Sequence, residues 1–157
     1  MANKTTLDAI DRKTLKHLIK NARTPFLEIA RECGISGAAI HQRIRKLNDS
    51  GVICGSRLIV DPRMLGFDVC AYIGIRIESA KDLDTTQEAL KNIPEIVECH
   101  FVTGSYSLFV KLYCIDNDHL MRVINSLQGI PGISSTETRI SLHEAFQRQV
   151  YVDCLKD

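Results

Sequence analysis

The sequence has no tryptophan, only four prolines, and no apolar run near the roughly 18 residues that a membrane span needs. The first thirty residues also lack the apolar core of a signal peptide, so we expect a cytoplasmic protein. The six cysteines are scattered, without a C-x-x-C pair or a zinc-ligand spacing. This pattern predicts reduced, mostly buried thiols and no metal site.

Motifs for catalysis are absent as well. The chain contains no H-E-x-x-H sequence, no phosphate-binding loop and no recognisable nucleophile–base pair. We therefore predict no catalytic residue and no cofactor. Hydrophobic residues make up 45% of the chain and charged residues 25%, a composition typical of a globular protein.

The net charge of +1 conceals an uneven distribution. Residues 1–61 hold eleven Lys/Arg and six Asp/Glu, whereas residues 62–157 hold nine and thirteen. A basic first segment beside an acidic remainder indicates that the first segment meets a polyanion. Because the residue before proline disfavours helical geometry, Asp61-Pro62 is a natural boundary. We predict two domains, residues 1–61 and residues 62–157.

The basic half has the pattern of three helices. Thr5 to Asp8 has capping-box spacing and precedes an amphipathic stretch, which predicts a helix over residues 7–20. Thr24-Pro25 predicts an N-cap and first residue for a second helix, which ends at Gly34. Ser36 is a favourable N-cap for a third helix. Two short helices around a glycine turn predict a helix-turn-helix of the winged type, with an ordinary three-helix bundle as the alternative.

The third helix supplies candidate DNA-binding residues with different roles. N–H groups at its start can meet a phosphate, and outward polar side chains can meet base edges in the major groove. The strand-forming run over residues 52–60 could contact the DNA backbone as a wing. A merely solvated charge is the alternative for each residue. The candidates are Ser36, Gly37 and Ala38 at the helix start, His41, Gln42 and Arg45 for bases, and Arg43, Lys46 and Arg57 for the backbone.

The acidic half contains an internal repeat. The pattern Ile-Pro-x-Ile occurs at residues 93–96 and 130–133, each time after an amphipathic helical stretch and before a strand. Strand–helix–strand, twice over, predicts the ferredoxin-like βαββαβ plan, so the chain as a whole is α+β. The predicted helices cover residues 82–92 and 117–128, and the predicted strands cover residues 68–78, 96–103, 106–114 and 133–143.

One face of this predicted sheet has no helices to cover it. The strands carry too much apolar surface for both faces of the sheet to remain in contact with water. We therefore predict a homodimer that forms through the uncovered face. A two-fold dimer also suits double-stranded DNA with two half-sites. The residues that led to this prediction are Tyr72, Ile73, Phe101, Phe109 and Tyr113.

The turn between the two central strands has glycine at its bend and hydroxyl side chains on both sides. Its sequence is Thr103-Gly104-Ser105-Tyr106-Ser107. N–H groups and hydroxyls of this kind can hold a carboxylate and an ammonium or amide group. From the residues alone, an ordinary hairpin turn is the favoured interpretation.

The chain from Leu7 to about Val150 resembles the Lrp/AsnC family of bacterial and archaeal transcription regulators. The resemblance implies an N-terminal DNA-binding domain, a linking strand, a C-terminal domain that senses a small amino acid, and dimers that often form octamers. The similarity is greatest to the asparagine-responsive AsnC branch, through Ala39–Arg43, the turn and Ser135–Thr138. The stretches that carry the family resemblance are residues 7–12, 21–23, 36–47, 51–55, 61–66 and 103–107.

The resemblance also implies an effector site in a cleft between subunits. Thr103, Gly104, Ser105, Tyr106 and Ser107 line that cleft, with Thr136 and Thr138 nearby. Many leucine-type relatives have aspartate where this chain has Ser107, which argues against a leucine effector. We therefore expect a DNA-binding regulator that responds to asparagine. The alternatives are an effector-independent architectural DNA-binding protein and a small ferredoxin-like enzyme or enzyme regulatory subunit.

Overall fold

The computed structural model describes residues 5–152, which form two compact units with separate cores. Among the described residues, one unit extends to Leu58 and includes residues 146–152, whereas the other covers Ile59–Ala145. The C-terminal segment thus departs from the prediction that placed it with the second domain, because Val152 packs into the core of the first unit. No helix within residues 5–152 has the length and apolarity to cross a membrane.

The first unit is built from three helices around a small aliphatic core. Gly34, in the left-handed conformation with φ 66°, ends the second helix and turns the chain toward the third. One buried cluster consists of Ile29, Ala30, Ile40 and Ile44, and a second consists of Leu15, Leu47 and Val152. The helices are α1 (Ala9–Lys20), α2 (Phe26–Cys33) and α3 (Gly37–Asp49).

The caps of these helices correct two predictions. The capping box of α1 is formed by Asp8 and Asp11, one turn later than the predicted Thr5. Pro25 is the N-cap of α2 and Thr24 is not, because the Thr24 hydroxyl instead donates to the carbonyl of Asn21 at 2.8 Å. The cap of α3 is confirmed, since the backbone N–H of residue 39 donates to Ser36 Oγ at 3.2 Å.

The run over residues 52–60 is not a strand in the structure. A strand requires a neighbour that accepts and donates its ladder hydrogen bonds, and within the described chain this run has no such neighbour. Its apolar side chains at Leu58, Ile59 and Val60 are exposed. Within residues 5–152, this run therefore forms neither the predicted linking strand nor a wing.

The second unit is a four-stranded antiparallel sheet with two helices. The elements are β1 (Val69–Ile77), α4 (Leu83–Lys91), β2 (Ile96–Phe101), β3 (Leu108–Cys114), α5 (Asn117–Gln128) and β4 (Ile133–Ser141). The strands lie in the order β2-β3-β1-β4, and strand order and helix placement match the predicted ferredoxin-like plan. Two short 3₁₀ turns, Arg63–Leu65 and Ala80–Asp82, precede β1 and α4.

The core of the second unit lies between the helices and one face of the sheet. Ile73 of β1 pairs with Val110 of β3, and both are fully buried in this core. The prediction that Ile73 belongs to the open face is therefore wrong. Phe101 pairs with Leu108 and so also lies on the helix side, although at the sheet edge it is 68% exposed.

The cysteines are less buried than predicted. Within the described residues Cys114 is the fully buried one, and burial raises its pKa to about 11. Cys54 and Cys99 are exposed, so the prediction of mostly buried thiols is wrong. Cys154 lies outside the described residues.

Candidate nucleic-acid interface and ligand site

The helix α3 separates its apolar and polar side chains onto opposite faces. Its inner face is held by Ile40, Ile44 and Leu47, all buried. Side chains three, four and seven positions apart lie on one helix face, and the outward set has this spacing. The outward residues are Ala38, His41, Gln42 and Arg45, all exposed. Four predicted DNA-binding residues thus share one accessible stripe.

The N-terminus of α3 is packed closely against α2. A β-carbon at Gly37 would lie 2.7 Å from the Cδ2 atom of Leu27, so the glycine permits this approach. The ring of His41 meets the ring of Phe26 edge to face, with centroids 5.2 Å apart. His41 therefore stays exposed but is held against the first residue of α2.

Arg43, predicted as a phosphate contact, forms ion pairs within the chain. Its Nη1 atom lies 2.5 Å from Asp8 Oδ2 and 2.8 Å from Asp11 Oδ1, so the guanidinium joins α3 to the start of α1. The Asp11 backbone N–H and the Arg43 guanidinium lower the pKa of Asp8. The sequence held one clue to this pair, since two aspartates three residues apart at a helix start repel each other without a nearby cation.

The other predicted backbone contacts remain accessible. Lys46 on α3 and Arg57 on the extended run are both exposed. Arg57 lies in a segment without strand pairing, so the structure does not give it the geometry of a wing.

The predicted ligand turn is a tight, well-anchored hairpin. The backbone N–H of Val102 donates to the carbonyl of Ser107 at 3.1 Å, and the Ser107 N–H donates to the carbonyl of Ile75 at 2.9 Å. Gly104 has a φ of 107°, a conformation that only glycine adopts without strain. Thr103, Gly104 and Ser105 are exposed at the tip. The turn thus presents exposed backbone and hydroxyl groups on a fixed frame.

Tyr106 projects from this turn onto the open face of the sheet. Its ring lies on Gly74, where a β-carbon would approach it to 2.7 Å. Its hydroxyl donates to the carboxylate of Glu137. The guanidinium carbons of Arg76 and Arg139 lie 5.5 and 5.8 Å from the ring centroid, and Arg76 Nε donates to the Ser105 carbonyl. The sequence predictions missed Gly74, Arg76, Glu137 and Arg139.

Thr136 and Thr138 do not join this cluster within one chain. They pair with Ile75 and Ile73, so they lie on the helix side of the sheet, opposite Tyr106. The amide of Gln128 donates to Thr136 Oγ1 at 3.5 Å, at the end of α5. Because side chains alternate along a strand, Glu137 between these threonines occupies the open face instead.

The open face continues into an aromatic cluster around a buried lysine. The rings of Tyr72 and Phe109 stack with centroids 6.1 Å apart, and Lys111 Nζ lies 5.3 Å from the Tyr113 centroid. The Lys111 side chain is 7% exposed and its Nζ is 3.5 Å from a carboxylate oxygen of Glu144. Burial alone would lower the pKa of Lys111, but its hydrogen bond to Tyr113 raises it. Three of the five predicted open-face residues are thus confirmed on this face.

Two family models match the chain. The model described as winged helix-turn-helix DNA-binding matches residues 7–53, and the Lrp/AsnC ligand binding domain matches residues 70–151. The chain belongs to the Lrp/AsnC family. The regulatory protein AsnC of Haemophilus influenzae is 41% identical over 145 residues, which cover 92% of this chain and 97% of that protein. AsnC of Escherichia coli K12 is also 41% identical, over 92% of this chain and 95% of its own length.

Solved structures agree with this assignment. The structure of E. coli AsnC matches with a TM-score of 0.89 at 40% identity, over 94% of this chain and 99% of that one. A feast or famine regulatory protein from M. tuberculosis, solved with L-methionine, matches with a TM-score of 0.87. The match covers 94% of this chain and 99% of that one, and at 23% sequence identity it shows a shared fold.

The chain is therefore an AsnC-like transcriptional regulator with a DNA-binding unit and an amino-acid-binding unit. The predictions of family, fold class and general function are confirmed. An ordinary three-helix bundle is excluded for the first unit, because that unit matches the DNA-binding model. The relatives are named as regulators, so the enzyme alternative is wrong.

Proposed function

We propose that this regulator binds asparagine and that the turn at residues 103–107 holds it. The observation that carries the proposal is 41% identity to AsnC proteins over 92% of the chain. The exposed backbone of Gly104 and the hydroxyls of Thr103 and Ser105 can donate hydrogen bonds to an amino acid and accept hydrogen bonds from it. Residue 107 is a neutral serine here and aspartate in many leucine-type relatives, so it places no carboxylate beside the proposed ligand.

The effector cleft, on this proposal, is shared between subunits. Thr136 and Thr138 lie on the other sheet face from Tyr106 in one chain, so they reach the ligand from a neighbouring copy. Binding at such a boundary alters how subunits pack and, with it, the spacing of their α3 helices. A ligand shifts this equilibrium only through its different affinity for the two arrangements, typically about 1–3 kcal/mol.

We further propose that the outer face of α3 contacts DNA. His41, Gln42 and Arg45 form the accessible stripe that meets base edges. The first turn of α3, at Ser36, Gly37 and Ala38, directs N–H groups to a phosphate, and Lys46 and Arg57 contact the backbone of double-stranded DNA. Such contacts release counterions, so affinity falls steeply with salt. A DNA-binding role places the protein in the cytoplasm.

Homodimers and octamers complete the proposal. The open sheet face carries the half-buried rings of Tyr72, Phe109 and Tyr113, and the run at residues 58–60 adds exposed apolar side chains. Burial of such surface against a second copy is favourable, and a two-fold dimer gives two DNA-binding units for two half-sites. Octamers rest on the family resemblance alone.

Thermal unfolding of the full chain with each of the twenty amino acids tests the effector proposal. Asparagine raises the unfolding midpoint, since a ligand that binds only the folded state stabilises it. Gly104→Val removes that rise, because φ 107° strains any other residue, while the protein still folds. A flat response to all twenty amino acids contradicts the proposal and favours an effector-independent architectural protein.

A further inference from the structure

Arg43 lies at the edge of the α3 outer face, yet its charge is directed inward. Its side chain is 29% exposed, and one nitrogen contacts both Asp8 and Asp11. The Asp11 carboxylate is 2% exposed, so it has lost nearly all contact with solvent. A carboxylate buried this far requires an opposite charge and hydrogen bonds.

The two aspartates already form the capping box of α1. Asp8 Oδ1 accepts the N–H of Asp11 at 2.8 Å, and Asp11 Oδ2 accepts the N–H of Asp8 at 3.2 Å. One oxygen of each carboxylate therefore holds the box together, and the other faces Arg43. The guanidinium neutralises two like charges and ties the start of α1 to the middle of α3.

This tie adds an ionic restraint on the rotation of α3 about its own axis to the one that its buried apolar face provides. Arg43 stands between Gln42, which faces outward, and Ile44, which faces the core. A rotation that moved Arg43 would move the outward stripe by the same angle. Placement of a hydrogen-bonding group within a fraction of an ångström decides whether it can read a base edge.

We infer that Arg43 is a positioning residue for DNA recognition, held by Asp8 and Asp11, and that it does not contact a phosphate. The inference rests on the proposed contact face of α3 and adds to it a device that aims that face. Its consequence is unusual for a DNA-binding unit, because removal of a negative charge, that of Asp8, weakens specific binding.

Asp8→Asn is the sharpest variant for the test. Asparagine still caps a helix through its side-chain oxygen, so α1 keeps its cap and loses mainly the ion pair with Arg43. The matched control is Asp49→Asn, which removes the same charge from the exposed end of α3. Affinities of the full-length variants are measured for a selected duplex, obtained by the wild-type protein from a random pool, and for a scrambled duplex of equal composition.

The positioning role predicts opposite results for the two variants. In Asp8→Asn, the ratio of the affinities for the selected and the scrambled duplex falls about tenfold, the equivalent of about 1.4 kcal/mol. Asp49→Asn binds both duplexes slightly more tightly, because repulsion from DNA has decreased. Equal tightening of both duplexes by both variants would overturn the inference.

A second pair of variants separates positioning from phosphate contact. Arg43→Gln lowers the affinity for the selected duplex and leaves the slope of log affinity against log salt unchanged. Lys46→Gln reduces that slope by about one, as expected for a lost phosphate contact. A slope change in Arg43→Gln equal to that in Lys46→Gln would overturn the inference. If Arg43→Gln does not fold, Asp8→Asn decides the matter, since Asp8 is half exposed.

A third variant, Arg45→Gln, distinguishes failure of the proposed α3 contact face from failure of the positioning role of Arg43. Loss of preference for the selected duplex in this variant supports the contact face itself. If Arg45→Gln and Asp8→Asn both retain wild-type preference, the contact face is wrong and the positioning inference falls with it. If Arg45→Gln alone loses preference, the face stands and the positioning role is rejected.

Discussion

The two units of the chain differ in how much of a site one chain can build. The DNA-binding stripe lies on a single helix, and its members meet because of helical periodicity alone. The effector turn depends on neighbours from other strands, and two of its predicted partners, Thr136 and Thr138, lie on the opposite sheet face. On the proposed function, the DNA-contact face of α3 is built by one chain, whereas the effector site takes Thr136 and Thr138 from another copy.

The largest expected effect comes from a core substitution in the first unit. Ile40 is fully buried, so Ile40→Ala leaves a cavity and costs about 2–5 kcal/mol of unfolding free energy. If the units are as separate as their cores indicate, DNA binding is lost while asparagine still stabilises the second unit. Calorimetry with and without asparagine measures both effects. Leu142→Ala is the control, since Leu142 is 91% exposed and its loss changes little.

A smaller effect is expected at Gly74 in the second unit. Gly74→Val places a β-carbon in the position of the Tyr106 ring, and the overpacking costs about 1–3 kcal/mol. The ring moves, so stabilisation by asparagine falls while the affinity for DNA without effector persists. Titration calorimetry with asparagine measures the loss. Gly129→Ala is the control, because its added β-carbon lies no closer than 3.5 Å to the nearest atom. Unchanged asparagine binding by Gly74→Val would contradict a role for Tyr106 in the ligand site.

Helix caps offer a matched pair, one in each unit. Ser36→Ala removes the cap of α3, and Asp116→Ala removes that of α5, where Asp116 accepts the N–H of His119 at 2.6 Å. Each costs about 0.5–2 kcal/mol in denaturant unfolding. We expect Ser36→Ala to weaken DNA binding and Asp116→Ala to leave it unchanged. Equal losses of DNA affinity would show that the units are not separate.

The smallest effect concerns acid stability of the first unit. The pKa of Asp8 is lowered from its ordinary value of 3.8, first by the Asp11 N–H and then by Arg43. The ionised Asp8 therefore stabilises the fold above pH 3.8. This contribution disappears as the pH falls through the lower pKa that Asp8 has in the folded protein. Denaturant midpoints measured at decreasing pH show the loss in the wild type. Asp8→Asn lacks this component, and an identical pH profile in both proteins would contradict the assignment.

Local patterns in the sequence predicted much of this structure. The Ser36 cap and the apolar spacing of α3 depend on residues a few positions apart, and the repeated Ile-Pro-x-Ile pattern indicated the βαββαβ order. Some misses are local: side chains alternate along a strand, so Ile73 faces the helices once its neighbour Tyr72 lies on the open face. Others involve distant residues, since the pairing of Arg43 with Asp8 joins positions 35 residues apart. The run at 52–60 has strand propensity, but within one chain it lacks a neighbour.

The most direct test of the central claim is the preference of Arg45→Gln for the selected duplex over the scrambled one. If the outer face of α3 reads base edges, this preference falls by about 1–3 kcal/mol, the value of one good bidentate contact, with asparagine stabilisation unchanged. A variant that discriminates between the two duplexes as well as the wild type would contradict the claim.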